Sequence, residues 1–177
     1  ELNFLRAQIN PHFLFNTLHN IYGLSLKNSE QTSPSILKLS ELLRFILHDG
    51  TLQSIKLSEE VKILEDYIEL EKLRYGGRLA FTFEKEIDDV NTSISPLLLL
   101  PFIENSFKHG ASESRFNSYI HVRLKLVNKQ LTFSVENSKE NEAGKNDNGI
   151  GLKNIKRQLE LIYGNAHELT IKETTSS

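Results

Sequence analysis

Apolar residues recur at helical spacing in the first third of the chain and alternate with polar ones farther on. Leu2, Leu5, Ile9, Phe13 and Leu18 mark one stripe of a helix predicted over residues 2–27. Gln8, His12, Asn16 and His19 recur at steps of four, four and three, on a different face. Pro11 falls inside this pattern. It lacks an N–H and crowds the carbonyl four residues back, so it predicts a kink beside an open imidazole at His12. The same residues also read as a helix start, with Asn10 as N-cap, Pro11 at the first helical position and His12 a spectator. After the polar loop Asn28–Ser33, Ser33-Pro34 looks like a cap. Ile36, Leu37, Leu39, Leu42, Leu43, Phe45, Ile46 and Leu47 then predict a second helix ending near His48-Asp49-Gly50. The two form an antiparallel hairpin. It is apolar over more of its circumference than one partner helix covers, which implies a homodimer through a four-helix bundle. The other use for the surplus face is packing on the C-terminal part.

From residue 51 the pattern changes. Thr51 to Leu57 could form an edge strand. Ser58 caps the next helix, and Glu59 and Glu60 suit its positive end. Gly76-Gly77 stops it, and Leu79 to Ile87 reads as a strand. Ser95-Pro96 opens a helix over Leu97 to His109, with a bend or late start at Pro101. Tyr119–Val127 and Gln130–Glu136 form a hairpin about Asn128-Lys129. Residues 138–148 read as a mobile loop. Gly149-Ile150-Gly151 then opens a helix over Leu152–Tyr163, and His167 to Lys172 looks like the first strand of an unfinished hairpin. The fold class is α+β, with a helical hairpin at 1–50 and an α/β domain at 51–177.

Composition adds exclusions. The 177 residues carry 21 basic and 23 acidic side chains, a formal charge of −2, which gives no general nucleic-acid or membrane surface. Without cysteine there is neither a disulfide nor a thiolate metal site. No apolar run approaches the roughly 18 residues that span a bilayer. The chain lacks methionine and opens with Glu1 inside a helical pattern, so it reads as a piece of a longer protein, cut at its N-terminus and also at its C-terminus.

Three stretches carry candidate chemistry. Glu104, Asn105, Lys108 and His109 form one polar edge at the end of an apolar helix. A carboxamide oxygen suits Mg²⁺ and a lysine one turn on suits phosphate, although a polar helix end meeting its dipole would look the same. Gly149 and Gly151 precede a helix start, where free N–H groups attract anions; neither a P-loop nor a dinucleotide fingerprint is present. Asn137 ends a strand and offers both a donor and an acceptor, as a ligand contact or as a turn residue.

Together these resemble a family. Gln8-Ile9-Asn10-Pro11-His12-Phe13-Leu14-Phe15-Asn16 resembles the phosphoacceptor segment of the LytS-type sensor histidine kinases, and Leu39-Ser40-Glu41-Leu42-Leu43-Arg44-Phe45 fits their second hairpin helix. Pro101 to Gly110 resembles the asparagine box of the gyrase–chaperone–histidine kinase ATP-binding fold. Gly149-Ile150-Gly151-Leu152-Lys153-Asn154-Ile155 resembles its second glycine box. The resemblance implies a dimerising, phosphotransferring hairpin followed by a two-layer α/β sandwich of the histidine-kinase ATPase type. It implies an ATP-dependent protein-histidine kinase of a two-component system, with ATP and Mg²⁺ as cofactors.

The roles it implies are as follows. His12 is phosphorylated, and Asn16 orients its ring. Asn105 coordinates Mg²⁺ beside the acidic Glu104, and Lys108 and His109 approach the phosphates. Asn137 faces the adenine, while Gly149, Gly151, Leu152 and Asn154 belong to the lid hinge and its phosphate approach. The phosphoryl group then passes to a response-regulator receiver domain. The fragment is cytoplasmic and touches neither membrane nor nucleic acid; its parent sits in the cell membrane. Two departures stand out. The family carries an aspartate where this strand ends Val135-Glu136-Asn137, and Asp147-Asn148-Gly149-Ile150-Gly151 spells that box literally, in a register set aside because a helix follows at once. His19 stands where the family suggests asparagine and is a weak second phosphoacceptor candidate. The alternative function is a non-catalytic nucleotide-binding and dimerisation module; an ATPase clamp with Glu104 activating water fits less well.

Overall fold

The computed structural model describes residues 10–110, 118–138 and 150–172. Asn10 is extended, and its side chain accepts a hydrogen bond from the His12 backbone N–H at 3.0 Å. It is an N-cap, and helix α1 (Pro11–Leu26) begins with the proline, whose missing N–H is not needed there. The part of the expected helix over residues 2–9 lies outside the described residues; at Pro11 the structure has a capped helix start in place of the expected kink inside a continuous helix. The buried face of α1 is Phe13, Thr17 and Ile21, four residues apart. Leu18, expected in the buried stripe, is 48% exposed and lies with exposed Phe15, Tyr22 and Leu26.

Helix α2 (Thr32–Leu47) starts earlier than expected. Gln31 is its N-cap, Ser33 lies inside the helix, and Pro34 is in the first turn, where no intrahelical donor is required. Its buried Leu39, Leu42, Phe45 and Ile46 face α1 and the next helix. A 3₁₀ turn (Asp49–Thr51) and a short strand β1 (Ile55–Lys56) lead to helix α3 (Leu57–Lys72). Here Lys56 holds the cap position, and its N–H donates to the Glu59 carboxylate at 2.8 Å. Ser58 is already helical, so the expected serine cap is replaced by the acid one residue on. Part of the surplus apolar face of α2 thus covers α3, reinforced by ion pairs Lys62–Glu41 at 2.6 Å and Lys38–Glu69. Ile36, Leu37 and Leu47 stay exposed on α2.

Gly76 and Gly77 both take left-handed backbone (φ 54° and 86°) and turn the chain into strand β2 (Leu79–Ile87). Strand β3 (Ser93–Ile94) pairs antiparallel with β1. Helix α4 (Leu100–Gly110) begins late, with Pro101 in its first turn. Strands β4 (Ser118–Val127) and β5 (Gln130–Asn137) complete a three-stranded sheet of order β2-β4-β5. β2 runs parallel to β4 and β4 antiparallel to β5. The hairpin turn Asn128-Lys129 has φ 51° and 65°, the two left-handed residues that match the twist of flanking strands. Helix α5 (Ile150–Tyr163) follows and ends at Gly164, whose N–H donates to the Glu160 carbonyl. Residues 167–172, expected to be a strand, pair with no strand among the described residues.

The sheet is two-faced. In β4, Ser118, Ile120, Val122, Leu124 and Leu126 are buried in strict alternation. Each fully buried aliphatic side chain is worth about 1.5–3 kcal/mol. The opposite face carries cross-strand ion pairs Arg123–Glu84 at 2.9 Å and Lys125–Glu86 at 2.8 Å. On the apolar side Phe107 of α4 is the hub, with ring centroids 6.2 Å from Tyr67, 6.0 Å from Tyr75 and 5.6 Å from Phe81. It joins α3, α4 and the sheet in one core. Among the described residues no helix is long and apolar enough to cross a membrane.

Candidate functional site

The exposed His12 sits on the second residue of α1, between the buried flank led by Phe13 and the exposed apolar flank of Phe15 and Tyr22. The Asn16 carboxamide nitrogen lies 3.1 Å from His12 Nδ1 and 3.3 Å from Nε2, so the ring nitrogen without a proton can accept from it. The spacing of four brings the two together on one face. His19 is exposed farther along.

Phe13 turns inward and stacks on Tyr67 of α3, centroids 4.5 Å apart. The Tyr67 hydroxyl donates to Glu71 Oε1 at 3.1 Å. Burial pushes the Glu71 carboxyl up, against the Tyr67 hydrogen bond and the Arg74 charge. Burial first, and the Glu71 charge second, raise the Glu104 carboxyl to about 7. The Tyr67 hydroxyl is itself pushed well up by burial, Glu71 and Glu104. Burial thus does most to raise this carboxyl of α4, and the neighbouring acid of α3 adds to it.

Helix α4 presents its polar edge as its spacing requires. Ile103, Ser106 and Phe107 are buried; Glu104, Asn105 and His109 are half-buried and Lys108 is exposed. The start of α4 is fixed from α3. Glu60 is fully buried, and its two carboxylate oxygens accept from Leu97 N–H at 2.8 Å and Leu99 N–H at 2.9 Å. Leu97 has φ 56°, left-handed for a branched residue.

The end of α4 meets the end of β5. Asn137 packs against Gly110 so closely that a Cβ on Gly110 would lie 2.4 Å from the Asn137 Cβ. Ser138 Oγ donates to the Gly110 carbonyl at 2.8 Å and accepts from Tyr119 N–H at 3.1 Å. Asn137 Nδ2 donates to the Ser138 carbonyl at 2.8 Å. The predicted Asn105 and Asn137 stretches therefore converge. Helix α5 packs on α4. It begins at Ile150, two residues before the expected Leu152, so Gly151 lies with Leu152 in its first turn. Asn154 is half-buried. Gly149, Asp147 and most of the predicted loop lie outside the described residues.

Sequence reasoning missed Glu60, Glu71 and the Phe13–Tyr67 stack. Their partners are distant in sequence, and Glu60 alone looked like an ordinary acid at a helix start. The Asn10 cap was available as the competing reading of Pro11.

Residues 1–79 match the family described as histidine kinase. The chain is 27% identical to the sensor protein LytS of Enterococcus faecalis, over 93% of this chain and 30% of that protein. It is 28% identical to the sensor histidine kinase YpdA of Escherichia coli, over 93% of this chain and 31% of the relative. Identity to the sensor histidine kinase YesM of Bacillus subtilis is 30%, over 97% of this chain and 30% of the relative. The chain thus spans about a third of the length of the curated relatives it matches.

Proposed function

Because this chain belongs to the LytS-type sensor histidine kinases, we propose that it is the kinase core of a two-component sensor. Its family uses ATP, generally with Mg²⁺. In this reading His12 takes the γ-phosphoryl group of ATP, with ADP as the leaving group, and passes it to an aspartate of a response-regulator receiver domain. Residues 1–50 form the dimerisation and phosphotransfer hairpin, and residues 51–177 form the ATP-binding domain, a two-layer α/β sandwich. The exposed row Phe15, Leu18, Tyr22 and Leu26, with Ile36, Leu37 and Leu47, supports a homodimer through a four-helix bundle. The parent protein is membrane-anchored with this part on the cytoplasmic side, where ATP and receiver domains are found.

The observation that carries the reading is the seating of Asn137 over Gly110, which joins the two stretches the family uses around a nucleotide. The donor set fits the group. Among the described residues no three His, Cys, Asp or Glu side chains gather as a metal cage. One carboxamide oxygen at Asn105 and the Lys108 cation instead suit an Mg²⁺ ion that arrives with phosphate ligands of its own. ATP with Mg²⁺ supplies the activated phosphoryl group and the charge neutralisation its transfer needs.

The chain's residues do the rest. Asn137 would meet the adenine, and Lys108 and His109 would draw charge from the phosphates. Gly149, Gly151, Leu152 and Asn154 would belong to the phosphate approach. His12 needs one ring nitrogen with its lone pair free. A half-turn of the Asn16 amide places Oδ1 where it accepts from the protonated nitrogen and leaves the other to attack. Glu104 can take up or release a proton at its carboxyl near neutral pH.

Incubation with radiolabelled ATP and Mg²⁺ tests the reading. Acid-labile label on the protein supports it. Free phosphate alone points to an ATPase, and no product points to the second reading, a non-catalytic nucleotide-binding and dimerisation module. That second reading is favoured by the carboxamide of Asn137 at the position where the family carries an acid.

A further inference from the structure

We propose that Glu60 is a positioning residue for the nucleotide site: its carboxylate on the Leu97 and Leu99 amides sets where helix α4, and so Glu104 and Asn105, stand. This rests on the reading of α4 as part of an ATP site.

Three observations converge on the turn before α4. Glu60 is fully enclosed, a burial that a carboxylate tolerates only with dedicated donors. Its oxygens take two backbone N–H groups, 37 and 39 residues away in sequence, which point at it from a turn rather than from a helix. Leu97 holds a left-handed backbone that costs an ordinary residue free energy, so something must over-determine it. The paired hydrogen bonds do so, and the Leu97 side chain is locked from the other side. It packs so closely on Gly50 that a Cβ there would lie 2.9 Å from Leu97 Cδ1.

The geometry has a directional consequence. Leu99 is the residue before α4, and the Phe102 N–H donates to its carbonyl at 3.2 Å. The first turn of α4 is therefore built on a residue that Glu60 holds. Asn105 follows only six residues after Leu99, and a helix transmits a shift of its first turn rigidly. Gly50 lies in the 3₁₀ turn that follows α2, so the same turn also touches the junction between the hairpin and the rest of the chain. Glu60 touches no nucleotide in this account; it acts through α4.

The test uses Glu60→Gln, which keeps shape but turns one oxygen into an NH₂ group facing an N–H donor. Two readouts are taken well below the melting temperature: amide hydrogen exchange, and affinity for Mg²⁺-ATP. The control is Val122→Ala or Leu126→Ala in β4, whichever matches the loss in melting temperature. Glu60→Gln should speed exchange at Leu97, Leu99 and the first turn of α4, and should weaken nucleotide binding about tenfold beyond the control. Should Glu60→Gln fail to fold, Glu60→Asp takes its place. It keeps the charge but its shorter side chain reaches fewer donors, and it should show the same changes at smaller amplitude. Unchanged exchange at Leu97 and Leu99, or an affinity loss no larger than the control's, overturns the proposal. If the parent chain itself binds no Mg²⁺-ATP, the proposed function fails, while the exchange data still decide the role of Glu60.

Discussion

The ring of Phe13 stacks on the ring of Tyr67, with centroids 4.5 Å apart and planes inclined by 25°. This contact fastens the residue next to His12 onto helix α3. Besides the buried packing of α2 on α3, the Lys62–Glu41 and Lys38–Glu69 pairs tie the helical segment to α3 at the surface. Exposed pairs of this kind add little, whereas removing a buried phenylalanine costs about 3–5 kcal/mol. The aromatic stack should therefore outweigh the ion pairs. Phe13→Ala is expected to lower stability by about 3 kcal/mol in urea denaturation and to raise hydrogen exchange throughout α1, while high salt leaves both nearly unchanged. A strong salt dependence with a mild Phe13→Ala effect would reverse this ranking.

The raised carboxyl of Glu104 has a pH signature. Its ordinary value is 4.5 and its folded value is about 7, so the folded state holds this proton more tightly than the unfolded state. The resulting destabilisation is absent below about pH 4.5, grows as pH rises, and is complete above about pH 7. It amounts to at most about 3 kcal/mol. Glu71 acts in the same direction. Glu104→Gln should therefore be more stable than the parent at pH 8, equal to it near pH 4.5, and flatter between. Denaturation midpoints across that range check it, and parallel curves for the two proteins would contradict it.

Gly110 and Asn137 give a steric prediction. A methyl group on residue 110 cannot coexist with Asn137 where it stands, since the contact would be 2.4 Å. Gly110→Ala should cost about 1–3 kcal/mol and lower adenine-nucleotide affinity by displacing Asn137. Asn137→Asp should act oppositely on binding. A charged acceptor makes roughly twice as strong a hydrogen bond, so affinity for ATP should rise several-fold. Isothermal titration with ATP and GTP measures both, and the gain should be confined to ATP.

Asn16 separates orientation from binding. Asn16→Asp keeps an oxygen that can accept from a protonated His12 nitrogen, whereas Asn16→Leu keeps bulk and loses it. The first should retain phosphorylation, and the second should lose about 10–100-fold in rate with unchanged nucleotide affinity. Equal rates for the two variants would remove Asn16 from this role.

Much of this was legible in the chain. Alternation found β2, β4 and β5, and Asn128-Lys129 marked the turn, because a half-buried strand and a tight hairpin are local matters. The convergence of the Asn105 and Asn137 stretches followed from a family pattern rather than from spacing. What failed to show depends on which of two local solutions the tertiary structure selects. Pro11 fits a kink or a capped start equally, and the Asn10 side chain decides. Leu18 fits either face of a helix that is apolar nearly all round. Ser58 can cap a helix and Glu59 can cap one from its third position, and a start two residues earlier, with Lys56 as N-cap, picks the acid. Glu60 was invisible in its role because its donors come from a turn 37 residues away whose left-handed leucine no local rule favours.

The central claim is that His12 is the phosphoacceptor of an ATP-driven reaction. It is tested most directly by incubating the protein with Mg²⁺-ATP and locating the phosphate by mass spectrometry under neutral conditions, for the parent and for His12→Ala. One acid-labile phosphate is expected on the peptide holding His12, absent in His12→Ala although that variant binds ATP as the parent does. Phosphate retained in His12→Ala, on His19 or elsewhere, would contradict it.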